Sequence, residues 1–288
     1  MHLMYFTLLK LLFNSRIRNT KHFQEWYKLP MNYTRIAEIL FVLNALKFER
    51  KDRILDISSP RFIDFYLAYF RKIPLTIADS NSYFVSDFEI YKKELGLDIE
   101  IELFDATKIP FPDKAFDKIF SISALEHIPR DGDIIAVKEI IRLLKPKGEV
   151  VITLPAHVKY HEEWLKEKTF YWKSEINEDG EFFYQRRYNK DSIINRFGNI
   201  SSSVIKKIVF IAERPIKDPY CNDNGMLMHN AYFIYEKVLY KLIRKIDFKY
   251  IPLTDYFFHL IYSKKYHYLT DNHDDPNIRQ VCVQFEKK

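Results

Sequence analysis

Residues 53–62 read Arg53-Ile54-Leu55-Asp56-Ile57-Ser58-Ser59-Pro60-Arg61-Phe62, and residues 75–79 read Leu75-Thr76-Ile77-Ala78-Asp79. In each a short apolar run meets an acid, and Pro60 to Phe70, with helical spacing, lies between them. Ile99-Glu100-Ile101-Glu102-Leu103-Phe104 follows the same plan and ends in Asp105. Apolar runs of this length, bounded by turn residues, read as strands. Tyr83 to Leu95 is helical in its spacing and stops at Gly96, a C-cap residue. Phe116 to Ser123 gives a fourth strand. Ile134 to Leu144 gives a helix closed by Lys145-Pro146-Lys147-Gly148, and Glu149 to Leu154 gives a fifth strand. Strands alternating with helices predict an α/β fold, a parallel sheet with helices on both faces.

Outward from this core the pattern loosens. Asn32 to Phe48 is a long amphipathic helix placed to cover a sheet edge or a cleft. Lys190 to Phe197 reads as a helix, Ser203 to Glu213 as a sixth strand and Val281 to Phe285 as a seventh. Between those two strands Pro215 to Ile278 is far too long for an ordinary connection. Its helical patterns at His229–Ile246 and Thr254–Lys264 predict a helical, aromatic-rich insertion. The expected division is an N-terminal helical segment at 1–50, a core at 51–214, the insertion at 215–278 and a final sheet strand at 279–288.

Composition removes several classes of function. The six glycines, Gly96, Gly132, Gly148, Gly180, Gly198 and Gly225, are too scattered for a G-x-G-x-x-G or a G-x-x-x-x-G-K-[ST] loop. Cys221 and Cys282 are isolated, which removes zinc-ribbon spacing and a disulfide framework and fits a reducing, cytoplasmic compartment. The net charge of +6 falls short of a dedicated nucleic-acid binder. The apolar run Leu3 to Phe13 is shorter than the roughly 20 residues that span a bilayer. It reads as a helix packed on the domain, with a membrane-surface anchor as the first alternative and a cleaved signal as the second.

In open parallel sheets, ligands bind at the carboxyl ends of the strands. A single acid there is commonly a cap or turn residue. Asp56, Asp79 and Asp105 in succession point to a ligand rich in donors. Asp79 is placed to take the two hydroxyls of a ribose, and Asp105 to accept from an adenine amino group.

Three further segments carry a resemblance. Ile109-Pro110-Phe111-Pro112-Asp113-Lys114-Ala115-Phe116-Asp117-Lys118-Ile119, Ser123-Ala124-Leu125-Glu126-His127-Ile128 and Leu143-Leu144-Lys145-Pro146-Lys147-Gly148-Glu149-Val150-Val151-Ile152 occur in that order. They resemble the "lPFpdnsFDvv", "vLeHi" and "LkPGGxlvi" segments of small-molecule class I S-adenosylmethionine-dependent methyltransferases. The likeness covers about a hundred residues. It implies a Rossmann-like methyltransferase fold, with a mostly parallel seven-stranded sheet and a helical insertion before the last strand. It also implies S-adenosylmethionine as cofactor.

The resemblance assigns roles residue by residue. Asp56 would anchor the first loop and the cofactor ammonium. Ser58 and Ser59 would lie along the methionine portion, Asp79 and Ser80 at the ribose, Asp105 and Ala106 at the adenine. Ser121, Ile122 and Ser123 would border the sulfonium. One departure falls in the first loop, where the family carries D-x-G-x-G-x-G and this chain has Asp56-Ile57-Ser58-Ser59-Pro60-Arg61-Phe62. The serines add Cβ atoms, but Ser59-Pro60 reads as an N-cap followed by an N1 proline, a settled helix start.

A base is needed only where the methyl acceptor must lose a proton. Glu126, His127, His157 and His161 lie near strand ends. His127 and His157 are the candidate catalytic residues, and no metal set is expected. Residues 206–265 carry 11 Lys/Arg against 6 Asp/Glu, which is +5 of the chain's +6. Ile234, Tyr235, Val238, Leu239, Leu242 and Ile246 share one helical face there, opposite Lys237, Lys241, Arg244 and Lys245. A solvated cap helix, a dimer contact or a peripheral membrane contact would each use that pattern. The expected activity is methyl transfer to oxygen or nitrogen of a small-molecule, glycan or lipid-intermediate acceptor, with nucleic acid disfavoured. The alternative is a non-catalytic methyltransferase-like module binding a protein or lipid partner.

Overall fold

The computed structural model describes residues 11, 13–28, 33–167, 175–213 and 267–288. Ten strands are β1 (Ile54–Ile57), β2 (Leu75–Asp79), β3 (Ile99–Leu103), β4 (Phe116–Ile122), β5 (Leu144–Pro155), β6 (His161–Leu165), β7 (Phe182–Arg187), β8 (Ser203–Glu213), β9 (His267–Thr270) and β10 (Ile278–Lys287) among the described residues. Helices in the same residues are α1 (Ser15–Arg18), α2 (Lys21–Lys28), α3 (Tyr33–Leu46), α4 (Arg61–Phe65), α5 (Val85–Leu95), α6 (Gly132–Leu143) and α7 (Lys190–Phe197). Helix α4 runs directly into a π-helical turn at Tyr66–Phe70.

One sheet has the order β3-β2-β1-β4-β5-β10-β8-β9. Strands β3 through β5 are parallel, whereas β10 and β9 each pair antiparallel to their neighbours. The direction of winding reverses between β1 and β4. Their carboxyl ends therefore flank the crevice where this architecture takes its ligands. The sheet is one strand wider than the sequence pattern implies. Strand β9 lies within the stretch read as a helical insertion and pairs with β8 from Phe210 to Glu213. Its four residues are too few to register as a periodic strand. A separate two-stranded sheet, β6 with β7, follows β5. The helical patterns at 229–246 and 254–264 lie outside the described residues, as does most of the N-terminal apolar run.

Two apolar layers sandwich the sheet. On one face α3, α4 and α5 bury Val42, Leu46, Ile63, Phe65, Phe88 and Tyr91 against Ile54, Ile77, Phe120, Ile122 and Val151. On the other, α6 and α7 bury Val137, Ile140, Ile141, Ile193 and Phe197 against Leu55, Ile57, Ile119, Val150 and Ile152. Adjacent strand residues thus alternate between layers, and each large side chain contributes roughly 1.5–3 kcal/mol. Gly96 caps α5 at φ +61, a left-handed backbone suited to glycine. The N-terminal segment is clamped to α5. The Asp87 carboxylate receives the His22 backbone N–H at 2.7 Å and lies 2.8 Å from His22 Nδ1, and Thr20 bonds the Tyr91 hydroxyl at 2.6 Å. Among the described residues, no helix is long and apolar enough to cross a membrane.

Candidate active site

The loop after β1 shows how a glycine-poor sequence makes this turn. Ser58, at the position of the first glycine in the loop that the chain resembles, adopts φ +56, a left-handed conformation. Its backbone N–H donates to the Ala78 carbonyl at 2.8 Å, and its side chain bonds the Asp79 carboxylate. The hydroxyl thus offsets part of the conformational cost of a non-glycine residue there. Lys147, in the turn resembling Pro-Gly-Gly, is likewise left-handed at φ +64.

Ser59 is fully engaged inside the protein. Its Oγ accepts from the Ile122 N–H at 2.9 Å, its side chain also bonds Asp56, and its own N–H donates to Asp56 Oδ1 at 3.2 Å. Ser121 Oγ donates to the Ile57 carbonyl at 2.8 Å. These two hydroxyls therefore hold β1 to β4 at the switch point. The reading of Ser59 as an N-cap is corrected here. Pro60 occupies the cap position of α4 without a side-chain cap bond, while Ser59 reaches across to β4. We expect Ser58→Gly to raise cofactor affinity by less than about tenfold, the equivalent of 1.4 kcal/mol, in calorimetry. A larger gain would show Ser58 to be an impediment.

Arg61 is the residue that motif reading passes over. Its side chain is 1% exposed, with Nη1 2.8 Å from Asp56 Oδ2 and 3.0 Å from Asp64 Oδ2, and Nη2 3.4 Å from Asp79 Oδ2. The guanidinium also lies 4.6 Å from the Phe84 ring centroid. Three carboxylates share one cation. Burial pushes Asp56 up to about 6, with Arg61 opposing it, and raises Asp64 and Asp79 as well. A positive residue in the first turn of a helix opposes the macrodipole. That local mismatch was the available sequence signal.

The cluster fits the ribose and ammonium ends of S-adenosylmethionine. Asp56 is wholly buried, its Oδ2 paired with Arg61 Nη1 at 2.8 Å without a well-aligned hydrogen bond. Asp79 is the most exposed of the three acids, and its Oδ1 is oriented by the Asn81 N–H at 3.0 Å. A carboxylate so fixed retains acceptor capacity for a diol. Ser80 beside it is exposed. Asp105 is exposed and accepts from the Thr107 N–H and hydroxyl at 2.8 and 2.7 Å, with Ala106 half-buried next to it.

Across β4 a second polar group gathers. Ser123, at φ +47, donates its hydroxyl to Glu38 Oε1 at 2.7 Å, and Thr153 donates to the same oxygen at 2.6 Å. Glu38 comes from α3 and is wholly buried; Arg35, one turn earlier, lies 2.9 Å from its Oε2. Its sequence signal was a lone acid within Ile36-Ala37-Glu38-Ile39-Leu40-Phe41-Val42-Leu43.

Glu126 is also buried, and its Oε2 has no hydrogen-bond partner. Burial pushes its carboxyl up to about 8, opposed weakly by Arg35. His127 Nδ1 sits 2.7 Å from the Tyr184 carbonyl, and its Nε2 is 3.7 Å from Glu126 Oε1. A carbonyl only accepts, so Nδ1 carries the proton and Nε2 the lone pair. Burial lowers the His127 pKa, which keeps the ring neutral.

His157 does not join this group. It is exposed, accepts from the Lys159 N–H at 3.2 Å and packs edge-on against His161 at 4.9 Å. Arg186 has a structural place. It is wholly buried, donates to the Ile128 and Arg130 carbonyls and so ties β7 to the loop before α6. Among the described residues, no group of three or more His, Cys, Asp or Glu is arranged to hold a metal.

Known proteins share this fold. A family model described as "Methyltransferase domain" matches residues 63–152, which begins just past the Asp56–Phe62 loop. The tRNA U34 carboxymethyltransferase of Nautilia profundicola is 32% identical over 108 residues, 37% of this chain and 35% of that protein. The sterol 24-C-methyltransferase of Pneumocystis carinii is 35% identical over 72 residues, 24% of this chain and 19% of that protein. The chain thus spans about a third or less of the length of these curated relatives. Coclaurine N-methyltransferase, solved with N-methylheliamine and S-adenosylhomocysteine, superposes with a TM-score of 0.53 at 13% identity. That match covers 98% of this chain and 78% of the other. Phosphoethanolamine N-methyltransferase 2 of Haemonchus contortus, with S-adenosylmethionine, gives 0.50 at 16% identity and covers 98% of this chain and 60% of the other. At these identities the structural likeness shows the fold.

Proposed function

We propose that this chain, which belongs to the class I S-adenosylmethionine-dependent methyltransferases through its methyltransferase domain, transfers a methyl group to an oxygen or nitrogen of a small-molecule, glycan or lipid-intermediate acceptor. The observation that carries the reading is the presence of two polar groups near the ends of β1, β2 and β4. One is Asp56-Arg61-Asp79 and the other is Glu38-Ser123-Glu126-His127. The first would hold S-adenosylmethionine, which supplies an activated methyl group when bound. The second faces the acceptor.

The roles follow from chemistry. Asp79 takes the ribose hydroxyls, with Ser58 and Asn81 fixing its carboxylate. Asp56 stabilises the ammonium. Ser121, Ile122 and Ser123 present the end of β4 to the sulfonium. Methyl transfer is mostly a matter of alignment, so rigid loops held by Ser59 and Glu38 serve it. Where the acceptor must lose a proton, the His127 Nε2 lone pair takes it. The exposed His157 has no part in this reading.

Calorimetry with S-adenosylmethionine and S-adenosylhomocysteine tests the cofactor half. Binding is expected, and Asp79→Ala should weaken it by roughly 1.5–3 kcal/mol, the range for a hydrogen bond to a charged group. Unchanged affinity would remove Asp79 from the ribose role. A wild-type chain that binds neither compound would favour the non-catalytic module.

A further inference from the structure

We propose that Asp64 of α4 shares one proton with Asp56 in the ligand-free protein, and that the ammonium group of the arriving cofactor displaces this proton to solvent. The inference rests on the methyltransferase reading and gives a role to a buried acid that the resemblance leaves without one. Its basis is a surplus of carboxylates around one cation. Asp56 Oδ2 and Asp64 Oδ2 lie 2.8 and 3.0 Å from the same Arg61 nitrogen, Nη1, and Asp79 Oδ2 lies 3.4 Å from Nη2. The side chains of Asp56 and Asp64 are wholly buried, while that of Asp79, 10% exposed, forms the open edge.

The contact between the two buried acids calls for a proton. Their side chains are within hydrogen-bonding reach of each other. Ionised carboxylates only accept, so the contact is attractive when one of them is protonated and donates. Without that proton, like charges would meet in a buried space, and a carboxylate pair so placed resists its second ionisation. Asp64 Oδ1 agrees with this state, because it is buried and receives no hydrogen bond from a protein donor. The groups facing the pair come from four places. Ser59 of the loop after β1 bonds Asp56, and Arg61 of α4 is the cation. Asp79 ends β2, and Tyr83 in the turn that follows bonds Arg61 and is held neutral by burial. Burial raises the pKa of both Asp56 and Asp64. With one proton on the pair the cluster carries a single net negative charge.

That proton links the site to its ligand. An ammonium group brings a second cation to the cluster and favours the ionised form of both acids. As it binds, the O–H bond of the shared carboxyl breaks. Both electrons stay on the carboxylate oxygen, and the proton passes to buffer. The sign follows from linkage. A ligand that lowers the pKa of an acid releases protons, and its affinity rises with pH between the bound and free values. The nucleoside portion of the cofactor carries no ammonium and lacks this effect.

The test is calorimetry on the full chain at pH 6, the region to which Asp56 is raised. Titrations in phosphate and in imidazole, buffers of different ionisation heat, count the protons. S-adenosylhomocysteine is expected to release about half a proton or more, and its affinity should rise at least about tenfold from pH 5 to pH 7. 5′-Methylthioadenosine, the nucleoside without the amino-acid portion, should release clearly less. In Asp64→Asn the amide donates to Asp56 in place of the shared proton. Release should then disappear, and the affinity should lose most of its pH dependence. No proton release with S-adenosylhomocysteine would overturn the proposal. Equal release with both compounds would overturn it by tracing the proton to Asp79, and unaltered release from a folded Asp64→Asn would do so by excluding Asp64. If that variant does not fold, the comparison of the two compounds on wild type decides the matter. A wild-type chain that binds neither compound would instead refute the methyltransferase reading itself.

Discussion

Arg61→Met is expected to destabilise the folded chain by about 3–5 kcal/mol at pH 7, the range for removing one partner of a buried ion pair, and by clearly less at pH 5. The wild-type guanidinium lies within 2.8–3.4 Å of Asp56, Asp64 and Asp79. Without it, three carboxylates share a buried space with no cation. The variant relieves that conflict by keeping protons on the acids, which is easier in acid. The sign is fixed by the direction of the shifts. In the native protein Asp56 is raised from 3.8 to about 6. Its contribution is thus fully present below about pH 4 and is lost as pH rises through about 6. Loss of Arg61 raises the acids further and extends this penalty past neutrality. Urea unfolding of wild type, Arg61→Met and Arg61→Met/Asp64→Asn at both pH values measures it. The double variant should recover part of the loss, since it removes one uncompensated carboxylate. An equal loss at pH 5 and pH 7 would instead assign Arg61 to packing against Phe84.

Arg61 also explains how the core can dispense with the family's glycines. In a glycine-rich loop, backbone N–H groups approach the ligand closely because no Cβ intervenes. Here Ser58 still reaches the left-handed conformation, and its hydroxyl supports Asp79. Ser59 and Ser121 fasten the strand ends, and a buried guanidinium orders the acids. The loop is thereby organised by side chains rather than by backbone freedom.

Sequence reading was strongest where local rules and tertiary structure agree. The acids of β1 and β2 and the parallel pairing of five strands follow from apolar runs, turn residues and helical spacing, whereas the strand order comes from the structure. His127 was legible from its motif, although the proton position on its ring emerges only from the Tyr184 carbonyl. Glu38 and Ser123 are 85 positions apart, so nothing local joins them. Arg61 meets Asp56 and Asp79 because helix α4 packs against the strand ends, a long-range event that composition cannot express. Strand β9 was hidden because four residues carry too little periodicity. His157 illustrates the converse: its place in the chain is at the end of β5, but the turn into β6 carries its ring to solvent.

Glu126→Gln is expected to flatten the pH dependence of stability and to leave the variant more stable than wild type above pH 8. Glu126 is buried, and its carboxyl is raised from 4.5 to about 8. An acid raised in the folded state stabilises fully below its unfolded value, and the stabilisation is lost as pH climbs through its folded value. Wild type should therefore weaken between about pH 4.5 and 8. At about 1.4 kcal/mol per tenfold change in proton affinity, the full interval corresponds to at most ~5 kcal/mol. Relaxation and water entry should reduce the observed slope to about 2–3 kcal/mol. Glutamine keeps the shape and never ionises, so its curve lacks this component. Denaturant unfolding of both proteins at pH 5 and pH 8.5 provides the comparison. Parallel curves would mean that Glu126 titrates as in water and that its burial has no electrostatic consequence. Diverging curves would identify a residue that costs stability in alkali, and such a cost is a signature of a group placed for binding or catalysis. The same variant should then lose methyl transfer while retaining cofactor affinity, because Glu126 adjoins His127, the proposed base.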